Sequence, residues 1–243
     1  MASSRLLLEI AANSLESALV AQAGGADRIE LCANLGEGGT TPSCGTIAAA
    51  RARLRIPLHV LIRVRAGDFV YSPAELDAMR RDVEACVSLG CDGVAIGALD
   101  AQGAVDVAGC RSLAAAAGDL DISFHRAFDV VADRARALED AIAIGCSRIL
   151  TSGGADSAEQ GASVIVADIA HAAGRIAVMP GAGLNPANIA VVARATGARE
   201  LHGSAREFTL GIGSGGPVGL PRGHWRSSEA LVRSLRQALD TES

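Results

Sequence analysis

The sequence predicts a closed parallel α/β barrel on three observations: eight short β-branched or Leu-rich runs, Ala-rich helical stretches between them, and an internal repeat that counts strands two at a time. The predicted strands are Leu6–Ile10, Arg28–Cys32, Leu58–Val64, Gly93–Gly97, Asp121–Phe124, Arg148–Ser152, Arg175–Met179 and Arg199–Gly203. Between them, Leu15–Ala23, Ala74–Leu89, Arg134–Ile144 and Asn188–Ala195 carry helical patterns. Strand–helix alternation implies a parallel sheet, and eight units in about 200 residues imply closure. The repeat is a glycine that ends a helix and feeds a strand: Gly25-Ala-Asp-Arg-Ile-Glu, Gly90-Cys-Asp-Gly-Val-Ala, Gly145-Cys-Ser-Arg-Ile-Leu and Gly197-Ala-Arg-Glu-Leu-His. These glycines are 65, 55 and 52 residues apart and precede strands two, four, six and eight. A two-unit period is the imprint of a barrel whose interior is layered by alternate strands. The fold expected is a (β/α)₈, TIM-type barrel, one domain over residues 1–243.

After Phe208 the texture changes. The stretch "TLGIGSGGPVGLPRG", residues 209–223, reads as a Gly/Pro-rich loop, followed by a closing helix over 227–239 with Leu231, Leu235 and Leu239 on one face.

Composition limits the function. An apolar content of 49% is enough for a full core, while a net charge of −5 and 2% aromatic residues argue against a nucleic-acid surface. No apolar run reaches the roughly 18 residues of a membrane span, and the opening "MASSRLLLEIAANS" lacks a cleavage-site pattern. Six cysteines without a C-x-x-C pair in a core-rich chain point to reduced thiols. All 22 basic residues are arginine, so no side-chain amine is available for a Schiff base or for pyridoxal (PLP) chemistry.

In such barrels the C-terminal strand ends line the site. Here they offer Glu9; Glu30 and Cys32; Arg63 and Arg65; His125, Arg126 and Asp129; Thr151 and Ser152; Gly181 and Gly183; His202 and Ser204. Side chains alternate along a strand, so Glu30 shares a face with Cys32, and Arg63 with Arg65. Glu9 and Glu30 are either a structural pair for Arg63 or Arg126, or acids with chemistry to do. His125 in "SFHRAFD" is either a core histidine or a general base oriented by Asp129. His202 stands between the same two alternatives, whereas His59, His171 and His224 read as structural. Gly181 and Gly183 in "PGAGLNPAN" follow strand seven, where backbone amides often bind phosphate, and Arg63 and Arg65 would add a fork for an anion. Gly38 and Gly39 permit an anion-cupping turn, and Thr41-Pro42 reads as a helix cap followed by proline at the first helical position. Cys86, Cys91, Cys110 and Cys146 read as small hydrophobes, while Cys32 and Cys44 could offer sulfur to a soft metal.

The segments "ESALVAQAGGADRIELC", "EGGTTPS", "IRVRAGDFVYS", "FHRAFD", "ILTSGG" and "VMPGAGLNPANI" resemble the CutC family of copper homeostasis proteins, from Leu7 to about Phe208. The resemblance implies a TIM-type barrel, a cytoplasmic location, a homodimer or homotetramer, and handling of Cu(I). It makes Cys32 a copper ligand, and it sets Ala11 where several relatives carry a second thiol. Two functions therefore compete. One is copper binding at Cys32. The other is lysine-independent acid–base chemistry, as a lyase, isomerase or hydrolase, on a small anionic or phosphorylated substrate. In that version His125, Asp129, Glu30 and Glu9 are catalytic, with Glu9 or Glu30 serving as the partner acid or as a hard-metal ligand, and Arg63, Arg65, Arg126, Ser152, Gly181, Gly183, His202 and Ser204 bind the substrate.

Overall fold

The computed structural model describes residues 5–210 and 222–241. In chain order the elements are β1 (Leu7–Ala12), α1 (Leu15–Gly24), β2 (Arg28–Leu31), α2 (Cys44–Arg51), β3 (Leu58–Leu61), α3 (Pro73–Ser88), β4 (Gly93–Ile96), α4 (Val107–Ala117) and β5 (Asp121–Phe124). They continue with α5 (Arg134–Ile144), β6 (Arg148–Thr151), α6 (Ala162–Ala172), β7 (Ala177–Pro180), α7 (Ile189–Thr196), β8 (Glu200–Gly203), β9 (Arg206–Leu210), β10 (Gly223–Ser227) and α8 (Glu229–Asp240). Strands β1 to β8 are parallel, in the order β7-β6-β5-β4-β3-β2-β1-β8. A parallel bridge from Gly181 to His202 joins the remaining edge and closes the barrel. All eight predicted strands are present.

Local chemistry explains the element ends. Gly25 and Gly145 sit in the left-handed region, with φ of 98° and 97°, which lets each stop a helix and turn the chain toward the next strand. Ser72 and Glu75 form a reciprocal capping box on α3, with Pro73 at its first turn. The cap of α2 is Ser43, whose hydroxyl accepts from Thr46 N–H, and not Thr41; the Thr41 hydroxyl accepts from the Arg63 amide instead. Strand β3 ends at Leu61, so Arg63 and Arg65 fall in the following loop and need not share a face. Helix α8 packs between α1 and α7 through Val232, Leu235 and Leu239, closing the helical ring. The sequence reading missed the β9–β10 hairpin, which takes Thr209, Leu210 and Gly223 out of the predicted loop and sets Phe208 edge-to-face against Trp225. Residues 211–221 of that loop lie outside the described residues.

The glycine repeat is now explained. The third residue after each repeat glycine points into the barrel from an even strand: Arg28, Gly93, Arg148 and Glu200 form the lowest layer. Arg28 Nη2 donates to Glu200 at 2.7 Å, and Arg148 Nε donates to the same carboxylate at 3.0 Å. Gly93 makes room, since a Cβ there would stand 2.6 Å from the His59 ring. The odd strands supply the next layer, Glu9, His59, Ser123 and Met179. Glu9 pairs with Arg28 Nε, Met179 sulfur lies 3.4 Å from Arg28 Nη2, and the Ser123 hydroxyl accepts from Arg148 at 3.1 Å. Two residues further up the even strands come Glu30, Ala95, Leu150 and His202, and two further up the odd strands Ala11, Leu61, His125 and Gly181. Barrel interiors are usually filled by branched apolar side chains. This one is closed at its base by ions.

Buried charges are tolerable only when matched, and removing one partner strands the other. Arg28→Met should therefore cost about 3–5 kcal/mol in urea denaturation, because Glu9 loses its guanidinium while Glu200 keeps only that of Arg148. Arg65→Ala, which removes surface pairs to Asp68 and Glu75 and a bond to the Val70 carbonyl, should lower the midpoint far less.

Candidate active site

Above the ionic layers, the C-terminal strand ends enclose a cavity of about 750 Å³. Of the sequence-predicted residues, Glu30, Cys32, Arg63, His125, Arg126, Asp129, Gly183, His202 and Ser204 line it. Glu9 stands directly behind His202. Arg65, Ser152 and Gly181 are not part of the lining.

The floor is a chain of three groups. Glu9 Oε1 lies 2.7 Å from His202 Nδ1, and His202 Nε2 lies 3.8 Å from Glu30 Oε2. Each member responds to its surroundings differently. Burial alone would raise the Glu9 carboxyl, but the Arg28 charge and His202 hold it well below the ordinary carboxylate value. Glu30 has no guanidinium against it. Burial pushes it up, attraction to His202 offsets part of that, and the Glu9 charge adds to the rise, giving a value of about 7. Burial favours neutral His202, yet the flanking carboxylates, Glu30 ahead of Glu9, raise it overall. Two adjacent glutamates are thus driven apart by a single arginine. One is fixed as an anion and the other is poised near neutrality.

Several expected roles are corrected by the contacts. Asp129 does not orient His125. Its carboxylate accepts from the Thr151 hydroxyl, the amides of Ser152 and Gly154, and Arg126 Nε at 2.8 Å, so it pins the β6 loop. Ser152 is consumed in the same cluster, its hydroxyl, with a single hydrogen to donate, lying 2.6 Å from Ala155 O and 3.1 Å from Asp129. Arg63 lines the cavity, but its donors hold the carbonyls of Glu37, Gly39 and Gly67, and its guanidinium stacks on Phe69 at 5.0 Å. Arg65 turns outward to Glu75, Asp68 and the Val70 carbonyl, so the expected Arg63–Arg65 fork does not form. Neither glutamate pairs with Arg63 or Arg126. Gly181 is small for packing, since a Cβ there would meet Leu150 at 2.5 Å. Within the loop that follows, Asn188 takes the Asn185 amide at 2.8 Å and Asn185 takes the Ala187 amide at 2.9 Å, so these donors are not open to phosphate. The amides of Gly38 and Gly39 likewise bond to Leu35 and Asn34 carbonyls instead of cupping an anion.

The sequence reading missed three contributors. Arg28 sets the acid pair, and its place in the glycine repeat beside that of Glu200 was the available signal. Arg206 and Asp156 also line the cavity. Arg206 lies over the Trp225 ring at 4.6 Å and donates to Leu35 O, a placement that exists only because of the hairpin. With Arg126, whose side chain is 46% exposed, it brings positive charge to the rim.

Cys32 is 1% exposed and packs on Leu61 and Ala95, and burial first, then the Glu30 charge, push its thiol far above the ordinary value. It is the one sulfur in the cavity lining, and Ala11 lines the same wall. Cys44 is exposed at the start of α2 and does not join it. Cu(I) is held by soft sulfur donors. One protonated thiol among Leu61, Ala95 and a carboxylate does not make that donor set.

Two outcomes follow. In the native protein a thiol-specific chromogenic reagent should react quickly with a single cysteine, and Cys44→Ser should remove that phase while Cys32→Ser leaves it. Glu30 holds its proton to about 7, above the value it has unfolded. Between roughly pH 4.5 and 7 the unfolded chain has released a proton that the folded chain keeps, so stability falls as pH rises, and the loss is complete above about 7. Glu30→Gln should flatten that slope in urea titrations run at stepped pH.

The family profile that matches is the CutC family, over residues 6–207. A CutC family protein of Xanthomonas axonopodis pv. citri is 61% identical over 199 residues, covering 82% of this chain and 83% of its own. One of Chromobacterium violaceum is 52% identical over 242 residues, covering 96% of this chain and 98% of its own. Among solved structures, a Streptococcus agalactiae protein with the provisional description of copper homeostasis protein CutC superimposes with a TM-score of 0.79 at 33% identity, over 82% of this chain and 98% of that one. A thiamine phosphate pyrophosphorylase of Pyrococcus furiosus shares the fold alone, with a TM-score of 0.63 at 15% identity over 98% of this chain and 96% of that one. From the profile and from relatives at more than half identity along nearly the whole barrel, this chain belongs to the CutC family.

Proposed function

We propose that this CutC family protein is a proton-transfer enzyme acting on a small anionic molecule at the barrel mouth, and not a Cu(I) carrier. The observation that carries the reading is the His202 imidazole held between two carboxylates of opposite disposition on the cavity floor. Glu9, kept ionised by Arg28, fixes the His202 ring through Nδ1 and stabilises its protonated form. Glu30, with a value of about 7, takes a proton from the substrate or returns one at physiological pH, and the charge of His202 beside it stabilises its carboxylate. Arg126 and Arg206 attract the anion at the rim. The absence of lysine directs the chemistry to acid–base isomerase, lyase or hydrolase work. Five buried thiols beside exposed Cys44 suit a reducing compartment such as the cytoplasm.

The copper reading draws on the family name and on Cys32 in the cavity wall. The two are separated by two measurements. A panel of small carboxylates, sugar acids and sugar phosphates, incubated with the protein in D₂O, should contain a member whose C–H bonds exchange or which turns over. Glu30→Gln and His202→Asn should each slow that reaction by about 10²–10⁴-fold. Anaerobic Cu(I) titration should show weak binding that Cys32→Ser does not alter. Tight stoichiometric Cu(I) binding abolished by Cys32→Ser, with no reaction on the panel, would replace this proposal by copper handling.

A further inference from the structure

His125 is not the base expected from the sequence, and its surroundings give it another task. It is 4% exposed, stands at the end of β5, and lines the same cavity as Glu30 and His202. Its ring is fixed on three sides. The Ala127 amide donates to Nδ1 at 3.2 Å, the Phe69 ring packs against it at 5.1 Å, and Gly97 is small because a Cβ there would stand 2.6 Å from its Cε1.

The backbone contact decides the tautomer. A nitrogen that accepts an N–H cannot carry a proton, so in the neutral ring the hydrogen sits on Nε2. Neutrality follows from burial and then from the Arg63 charge, which together lower the ring to about 3. Nε2–H is therefore a donor, and it has no hydrogen-bond partner among the described residues. Leaving a buried donor unmade costs about 1–3 kcal/mol, so an orphan of this kind in a cavity wall calls for a partner from outside the chain. Its surface is almost wholly covered, so a ligand oxygen reaches it only when a neighbouring side chain moves aside, and a bond formed there is then sheltered from competing solvent.

We infer that His125 presents Nε2–H to the carbonyl oxygen of a small anionic substrate, as the polarising donor opposite the Glu9–His202–Glu30 chain. This rests on the proton-transfer reading and adds to it a substrate class: an anion with a carbonyl beside the carbon that loses or gains the proton. A neutral imidazole suits that work. It donates without being an acid strong enough to surrender its proton in the ground state, and its bond strengthens as negative charge grows on the oxygen.

The test has one arm without ligand and one with. In ¹⁵N-labelled protein the His125 ring nitrogens should report bare Nδ1 and protonated Nε2 at every pH from 5 to 9; a proton on Nδ1 would overturn the inference outright. The probes are two matched pairs that differ in a carbonyl, pyruvate against propionate and dihydroxyacetone phosphate against glycerol 3-phosphate. At least one carbonyl member should bind about tenfold more tightly than its partner and shift the His125 Nε2–H resonance. His125→Phe should erase that preference without weakening the carbonyl-free partner, while His125→Gln, which keeps an N–H donor, should restore part of it. Equal binding within both pairs, no binding by either carbonyl probe, or a preference that survives in His125→Phe would each overturn the role of His125. Glu30-dependent exchange in D₂O persisting under those outcomes would leave the proton-transfer reading standing. A His125-dependent preference with no reaction on any compound would end that reading and leave His125 as a binding group.

Discussion

Arg28 stands inside the barrel with two carboxylates against it, Glu9 in the layer above and Glu200 in its own layer, and both are bound to its guanidinium. The arrangement follows from the fold's own arithmetic. Alternate strands send their side chains inward at the same height, so one basic residue near the start of an even strand must meet whatever the neighbouring strands place there. A guanidinium can serve two carboxylates at once because its donors lie in a fixed planar fork. Without it, the interior would hold several acids in a low-dielectric setting with too little positive charge, a state that proteins avoid by unfolding or by taking up protons.

The same guanidinium shapes the floor of the cavity. It is bonded to Glu9 and only distantly felt by Glu30, so two glutamates on adjacent strands acquire opposite characters. An imidazole placed between them lies 2.7 Å from the fixed anion and 3.8 Å from the poised acid. The structural network and the candidate chemistry are thus continuous. The barrel base supplies the charge that the mouth uses, which blurs the usual division between a stabilising face and a reactive one.

Other polar residues at the mouth serve loops. Asp129 gathers hydroxyls and amides from the β6 loop, and Arg63 gathers carbonyls from the β2 and β3 loops. Their hydrogen-bonding capacity is largely spent on the backbone, which gives the cavity rigid walls. Cys32, buried against Leu61 and Ala95, behaves as a small apolar side chain. What remains for a ligand includes the Glu30–His202 edge, the inferred His125 donor, the rim arginines, Asp156 and Ser204.

The sequence by itself determined the strand order, the parallel barrel and its layering. Those depend on periodicity and on glycines at helix ends, which are local and therefore written in consecutive residues. Strand alternation also placed most of the strand-end candidates at one cavity, although Arg65, Ser152 and Gly181 lie outside its lining. Tertiary structure decided who bonds to whom. That Asp129 turns to Thr151 and Ser152 instead of His125, that Arg65 leaves the site for Glu75, and that Glu9 is claimed by Arg28 are all competitions among groups far apart in the chain. The hairpin partners Arg206–Leu210 and Gly223–Ser227 escaped the sequence reading for the same reason. Their pairing spans an intervening stretch with no periodic signal, and only the folded barrel brings the two strands side by side.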